Sequence, residues 1–173
     1  MKVIGFAGWK NSGKTTLVEG LIRVLTARGL RVSTVKHAHH NFQIDEPGKD
    51  SYRHRAAGAT EVVVASQKRW ALIHEQSRPA EPDLEEILAR MSEVDLVLVE
   101  GFKGFPFDKI EVFRHGNGKT LLATDDRHII AIAADGPIAE AKVPVLSLDD
   151  IEAISEFITR HCGLVNADEP AQR

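Results

Sequence analysis

Cysteine is nearly missing from this chain: Cys162 is the only one in 173 residues. A lone thiol excludes an internal disulfide framework and any cysteine-based zinc site within one subunit, and it fits a reducing compartment. Long hydrophobic runs are missing too. No stretch approaches the roughly 18 apolar residues that a membrane span needs, and the apolar start from Met1 to Gly8 is too short to act as a signal sequence. An excess of positive charge is the third absence. Lys and Arg number 22 against 25 Asp and Glu, a formal net charge of -3, so the broad basic field used in non-specific nucleic-acid binding is lacking. These gaps point to a cytoplasmic protein with neither nucleic acid nor membrane as partner. What remains, 43% hydrophobic and 27% charged residues, is ordinary globular usage, and the length suits one domain with a proper core.

Along the chain, Lys2 to Ala7 is a short β-rich run closed by glycine. Thr15 to Arg28 follows with Leu17, Val18, Leu21, Ile22 and Leu25 on one helical face. Gly29 suits a helix C-cap, and Leu30 to Lys36 alternates as a second strand, completing a βαβ unit with parallel strands and a right-handed crossover. His37 to Lys49 reads as a loop, and Asp50 to Ala57 as a short helix. Glu61 to Ala65 and Arg69 to Ile73 look like a hairpin turning at Ser66-Gln67-Lys68, which would add antiparallel strands and make the sheet mixed. Asp83 to Met91 reads as a helix, Asp95 to Val99 as a buried parallel strand, Lys109 to Phe113 and Ile129 to Ala134 as further strands, and Asp149 to His161 as an amphipathic helix. There is no internal repeat and no linker long enough to divide domains. One domain over residues 1–163 with a flexible tail at 164–173 is expected.

The most specific local signal is Gly8-Trp9-Lys10-Asn11-Ser12-Gly13-Lys14-Thr15, followed by Thr16. It fits G-x-x-x-x-G-K-[ST] at every fixed position, after a predicted strand and at the head of a predicted helix, which is the context a working P-loop requires. Glycines allow successive backbone N–H groups to point inward, the helix start adds positive potential, and a polyphosphate fills the nest. Lys14 is expected to reach the β and γ phosphates, and Thr15 to offer its hydroxyl to Mg²⁺, which prefers hard oxygen ligands. With the element order, this predicts an α/β, three-layer P-loop NTPase fold with a mostly parallel sheet, helices on both faces and added antiparallel strands.

A magnesium site needs a carboxylate. Asp95 and Glu100 stand at opposite ends of one predicted strand, about 16 Å apart at roughly 3.3 Å per residue. Ligands of parallel sheets bind beyond the carboxyl ends of strands, which selects Glu100 and leaves Asp95 a structural role. The same rule brings Lys36-His37 and Asp135-Gly136 to the P-loop rim. Asp135 is either an acceptor for a guanine ring or a plain Asp-Gly turn.

His37, His39 and His40, with His54 nearby, admit two readings: transition-metal ligands, or imidazoles contacting an anionic ligand. Asp50 likewise either orients an attacking water or caps the helix at Ser51. A metal-delivery GTPase for nickel or zinc, resting on the histidines, and a small-molecule kinase, in which Arg53 or Arg55 would clamp the transferred group, are the competing functional classes.

Taken together, Gly8 to Thr16, Val35-Lys36-His37-Ala38-His39-His40, Asp50-Ser51-Tyr52-Arg53-His54-Arg55 with Ala57-Gly58-Ala59, and Val99-Glu100-Gly101-Phe102-Lys103 resemble the MobB family, the molybdopterin-guanine dinucleotide biosynthesis adapter proteins. The resemblance covers about residues 1 to 160. It implies a GTP-binding protein of the broad P-loop class that includes nickel-delivery GTPases and dethiobiotin synthetase. It further implies a homodimer with weak GTPase activity that assists the guanylyltransferase MobA in joining GMP to molybdopterin, with molybdopterin itself a candidate ligand. Carried onto this chain, Gly8 to Thr16 hold the phosphates and Glu100 takes the acidic position of the second motif. No NKxD-type guanine motif is present, so GTP specificity rests on the resemblance.

Overall fold

The computed structural model describes residues 1–38, 42–76, 80 and 83–164. The chain groups into two compact units, Met1–Ala38 with Glu93–Arg173, and His39–Ser92. The expected tail lies outside the described residues from 165 onward, while Leu164 packs against the core.

The larger unit is built on six strands in the order β2-β5-β1-β6-β7-β8: β1 (Lys2–Ala7), β2 (Val32–Lys36), β5 (Leu96–Glu100), β6 (Lys109–Phe113), β7 (Ile129–Ala134) and β8 (Val145–Ser147). Every pairing among them is parallel. Leu96, Val97, Leu98 and Val99 are each fully buried, as a central strand covered on both faces requires. On one face, Ile4, Phe6, Leu98 and Ile110 meet α1 (Lys14–Ala27) and α4 (Ile151–His161). Leu17, Leu21 and Leu25 recur every four residues along α1 and are buried there. The two helices pack closely, since a side chain at Gly20 would begin 3.3 Å from Ile151. Asp150 starts α4 by accepting a hydrogen bond from the Ala153 N–H at 2.9 Å.

The opposite face is covered differently. Lys109 and Glu111 alternate with Ile110 and Val112 and so point away from the helices, yet both are fully buried. The Lys109 ammonium donates to the carbonyls of Lys103 at 3.1 Å and Phe105 at 2.8 Å and pairs with Asp126 at 2.8 Å. Glu111 accepts from the N–H groups of Leu122 and Ala123 at 2.8 and 2.9 Å. Burial pushes its carboxyl above the ordinary range, and the two backbone donors work against that rise. Two buried polar side chains thus pin the segments 103–105 and 122–126 over the β6 part of this face.

In the smaller unit, α2 (Asp50–Ala56) precedes β3 (Glu61–Ala65) and β4 (Trp70–His74), and α3 (Leu84–Arg90) follows. The hairpin is antiparallel, from Glu61 opposite His74 to Ala65 opposite Trp70. It forms a two-stranded sheet of its own. The six-stranded sheet is therefore parallel throughout instead of mixed: a hairpin signal is local and carries no information about which sheet its edges join.

Candidate phosphate-binding site

β1 runs straight into the glycine-rich loop. Gly8 has φ 149°, and a Cβ there would lie 2.5 Å from the Val112 carbonyl oxygen and 2.8 Å from Ser12 Oγ. Only glycine fits so close beneath β6. Asn11 follows in the left-handed region at φ 65°, which its short polar side chain tolerates better than most. α1 then begins without a side-chain cap and with no acidic residue in its first turn. Its opening N–H groups lack intrahelical partners by geometry, so the helix start suits an anion.

Lys14 folds back over the loop, its ammonium donating to the carbonyls of Gly8 at 2.9 Å and Trp9 at 2.8 Å. Burial is the main cause that lowers its pKa; Glu100 opposes the change, while Lys103 and Lys36 add to it. Lys14 thus feels two further ammonium groups and one carboxylate, a surplus of positive charge that a polyphosphate would relieve.

Thr15 donates its hydroxyl to both carboxylate oxygens of Glu100, at 2.9 and 3.1 Å. Parallel register brings the partners together: Glu100 pairs with Phe6 on one side and Lys36 on the other, so the ends of β1, β5 and β2 lie side by side. The chain turns sharply after Glu100, with Gly101 at φ 102° and Phe102 at φ 51°. A buried phenylalanine in that region is strained, and such strain concentrates at functional sites. His37 stacks on the Phe102 ring, centroids 4.6 Å apart.

The other predicted residues are distributed unevenly. Lys10 and Thr16 are exposed along the loop and first turn. The Trp9 indole donates to the Thr120 carbonyl at 2.9 Å, with the Lys103 and Lys119 ammonium groups 4.8 and 5.7 Å from its ring centre. Asp135 closes β7, where it accepts from the His115 N–H at 3.0 Å and meets His115 Nδ1 at 2.8 Å. These bonds to His115 hold its carboxyl below the usual range. Arg114, 3.9 Å from Asp135, donates through Nε to the Ser12 carbonyl at 3.2 Å. Asp135 therefore braces the segment whose Arg114 bonds to the P-loop.

Asp50 belongs to the smaller unit, as the first residue of α2, and faces Arg53 at 3.9 Å. The cap position falls on Lys49 and makes no side-chain capping bond, so Asp50 does not cap a helix beginning at Ser51. The alternative clamp residue Arg55 holds Asp45 and Glu75 at 2.9 and 3.0 Å. Of the four histidines, His54 lies on α2, while His39 and His40 fall outside the described residues. Among the described residues, no group of three or more His, Cys, Asp or Glu side chains is arranged to hold a metal.

Sequence reasoning missed Arg114. It follows β6 directly, so the rule that drew Lys36 and Asp135 to the rim would have found it too.

A parallel sheet whose first strand turns through a glycine-rich loop into a Lys-Thr helix start, with an acid ending the neighbouring strand, defines a P-loop-type fold. The model of the family described as MobB, molybdopterin guanine dinucleotide synthesis protein B, matches residues 3–135. The chain belongs to this family. It is 45% identical over 159 residues to the molybdopterin-guanine dinucleotide biosynthesis adapter protein of Escherichia coli, covering 90% of each chain. Identity to the adapter protein of Haemophilus influenzae is 41%, over 90% of this chain and 86% of that one. A crystal structure of molybdopterin-guanine biosynthesis protein B superposes with TM-score 0.75 at 32% identity, covering 93% of this chain and 99% of the other. The MobB homolog of Bacillus stearothermophilus gives TM-score 0.69 at 26% identity, over 95% and 100%.

Proposed function

We propose that this chain binds GTP with Mg²⁺ in the P-loop and serves as an adapter in molybdopterin-guanine dinucleotide biosynthesis. In this reading it works in the cytoplasm as a homodimer that assists the guanylyltransferase MobA, with molybdopterin as a further candidate ligand. The contact that carries the reading is the Thr15 hydroxyl on Glu100 at 2.9 Å, a hard-oxygen pair beside a phosphate nest, which is the donor chemistry Mg²⁺ selects. The relatives named above support the pathway.

The residues fit their expected ligands. The amides of residues 8 to 16 would cradle the phosphates, and Lys14 would exchange the Gly8 and Trp9 carbonyls for phosphate oxygens. Thr15 and Glu100 would hold magnesium directly or through its water shell. Held there, the ion would supply positive charge that offsets the charge of the phosphate oxygens. Asp50 remains the candidate for orienting water in a slow hydrolysis, and Asp135 the candidate acceptor for guanine. Binding rather than turnover is the output, with GTPase activity weak.

Calorimetry with GTP, ATP and GDP, repeated in the presence of the guanylyltransferase, tests base choice and adapter role together. The expected result is selective, magnesium-dependent GTP binding and a measurable interaction with the enzyme. Equal affinity for ATP would sink the GTP assignment, and no interaction at any nucleotide state would sink the adapter role.

A further inference from the structure

The Thr15–Glu100 pair has a third member. Lys36 ends β2 directly opposite Glu100 in parallel register, and its ammonium lies 3.4 Å from Thr15 Oγ1 and 3.4 Å from Glu100 Oε1. A magnesium ion bound about 2.1 Å from those two oxygens would need the space and the charge balance that the ammonium now holds. With magnesium held directly by those oxygens, the two cations would be alternatives.

We propose that Lys36 is the built-in counter-ion of the Thr15–Glu100 pair and becomes a phosphate ligand when magnesium nucleotide binds, yielding the two oxygens to the metal and moving onto the β/γ phosphate oxygens beside it. This rests on the P-loop reading above. The backbone that carries Lys36 is fixed: the His37 N–H donates to the Glu100 carbonyl at 2.8 Å, and a Cβ at Gly101 would come within 2.7 Å of His37 Cβ. The side chain has room to swing, 60% exposed against 13% for Glu100. An isolated surface ion pair would contribute little. Here the lysine is held against the positive charge of Lys14, which it perturbs, so the position carries a repulsion that an arriving polyphosphate removes. A cation already at the site would neutralise the acid before the metal arrives and offset γ-phosphate charge afterwards.

The test compares the full chain with Lys36→Met and Lys36→Arg by calorimetry, using GTP and GDP with Mg²⁺, and follows Mn²⁺ binding without nucleotide by electron paramagnetic resonance. Loss of one charge-assisted bond predicts that Lys36→Met weakens GTP binding about ten-fold or more, weakens GDP binding distinctly less, and tightens Mn²⁺ binding because the internal competitor is gone. Lys36→Arg, which keeps the charge, should recover part of the GTP affinity and part of the Mn²⁺ competition. An unchanged GTP affinity in Lys36→Met, or equal losses for GTP and GDP with unaltered Mn²⁺ binding, overturns the proposal while the P-loop reading stands. A parent chain that binds no nucleotide overturns both.

Discussion

The two ends of β5 carry the same chemical group in opposite circumstances. Before its first residue, Asp95 accepts from the Arg31 backbone N–H at 2.7 Å and from the Arg31 guanidinium at 3.2 Å. That carboxylate ties the amino end of β2 to the sheet. Those contacts, the backbone bond foremost, hold its carboxyl below the ordinary range. At the other end, Glu100 faces the Thr15 hydroxyl and the Lys36 ammonium and acts on the charge of Lys14, all groups able to exchange one partner for another. The difference teaches that a carboxylate's role follows from the end of the strand it occupies: helix starts and turning loops gather at the carboxyl ends of parallel strands, and backbone closure gathers at the amino ends.

Removing the cation that folds over the glycine-rich loop should have the largest effect. Lys14→Ala is expected to weaken GTP binding about 100-fold or more, since it deletes two charge-assisted bonds to phosphate, while the melting temperature stays near that of the parent. Retained affinity in calorimetry would refute the phosphate role of Lys14. A smaller effect is expected at Glu100. Glu100→Gln should raise the magnesium concentration needed for half-maximal GTP binding about ten-fold, with a lesser change in metal-free affinity, and an unaltered magnesium titration would remove Glu100 from the metal site.

The mildest change sharpens the contrast from the structural end. Asp95→Asn should leave the GTP and magnesium titrations as they are and lower only the melting temperature. Because folding depresses the Asp95 pKa, its stabilising contribution is present above the ordinary aspartate pKa and is lost as pH falls through the depressed value. The stability gap between parent and variant should therefore close on acidification. A gap that widens in acid, or any loss of magnesium response, would make the two ends of β5 less different than described.

The site was partly legible from sequence because its main parts are local or follow a simple rule. Gly8 to Thr15 is one contiguous motif, and Glu100 was separable from Asp95 by strand direction alone. Lys109 and Glu111 were not legible: in Lys-Ile-Glu-Val-Phe they occupy the polar phase of an alternating strand and look solvent-facing. Their burial follows from loops closing over the sheet from residues 103–105 and 122–126. β8 escaped because three residues carry no readable periodicity. Strand direction places Arg114 on the rim but cannot name its partner, since its contact with Ser12 spans 102 positions of sequence.

The sequence by itself determined the strand-loop-helix that makes a phosphate nest, the parallel order of β and α segments around it, and the family, because these depend on short-range spacing and on residue types with narrow conformational options. Only the tertiary structure decided that the hairpin stands as its own sheet, that Lys109 and Glu111 are buried under the segments they bind, and that Lys36 shares the oxygens of Thr15 and Glu100. Those outcomes depend on strand register and on which loops close over which surface, and neither is encoded in neighbouring residues.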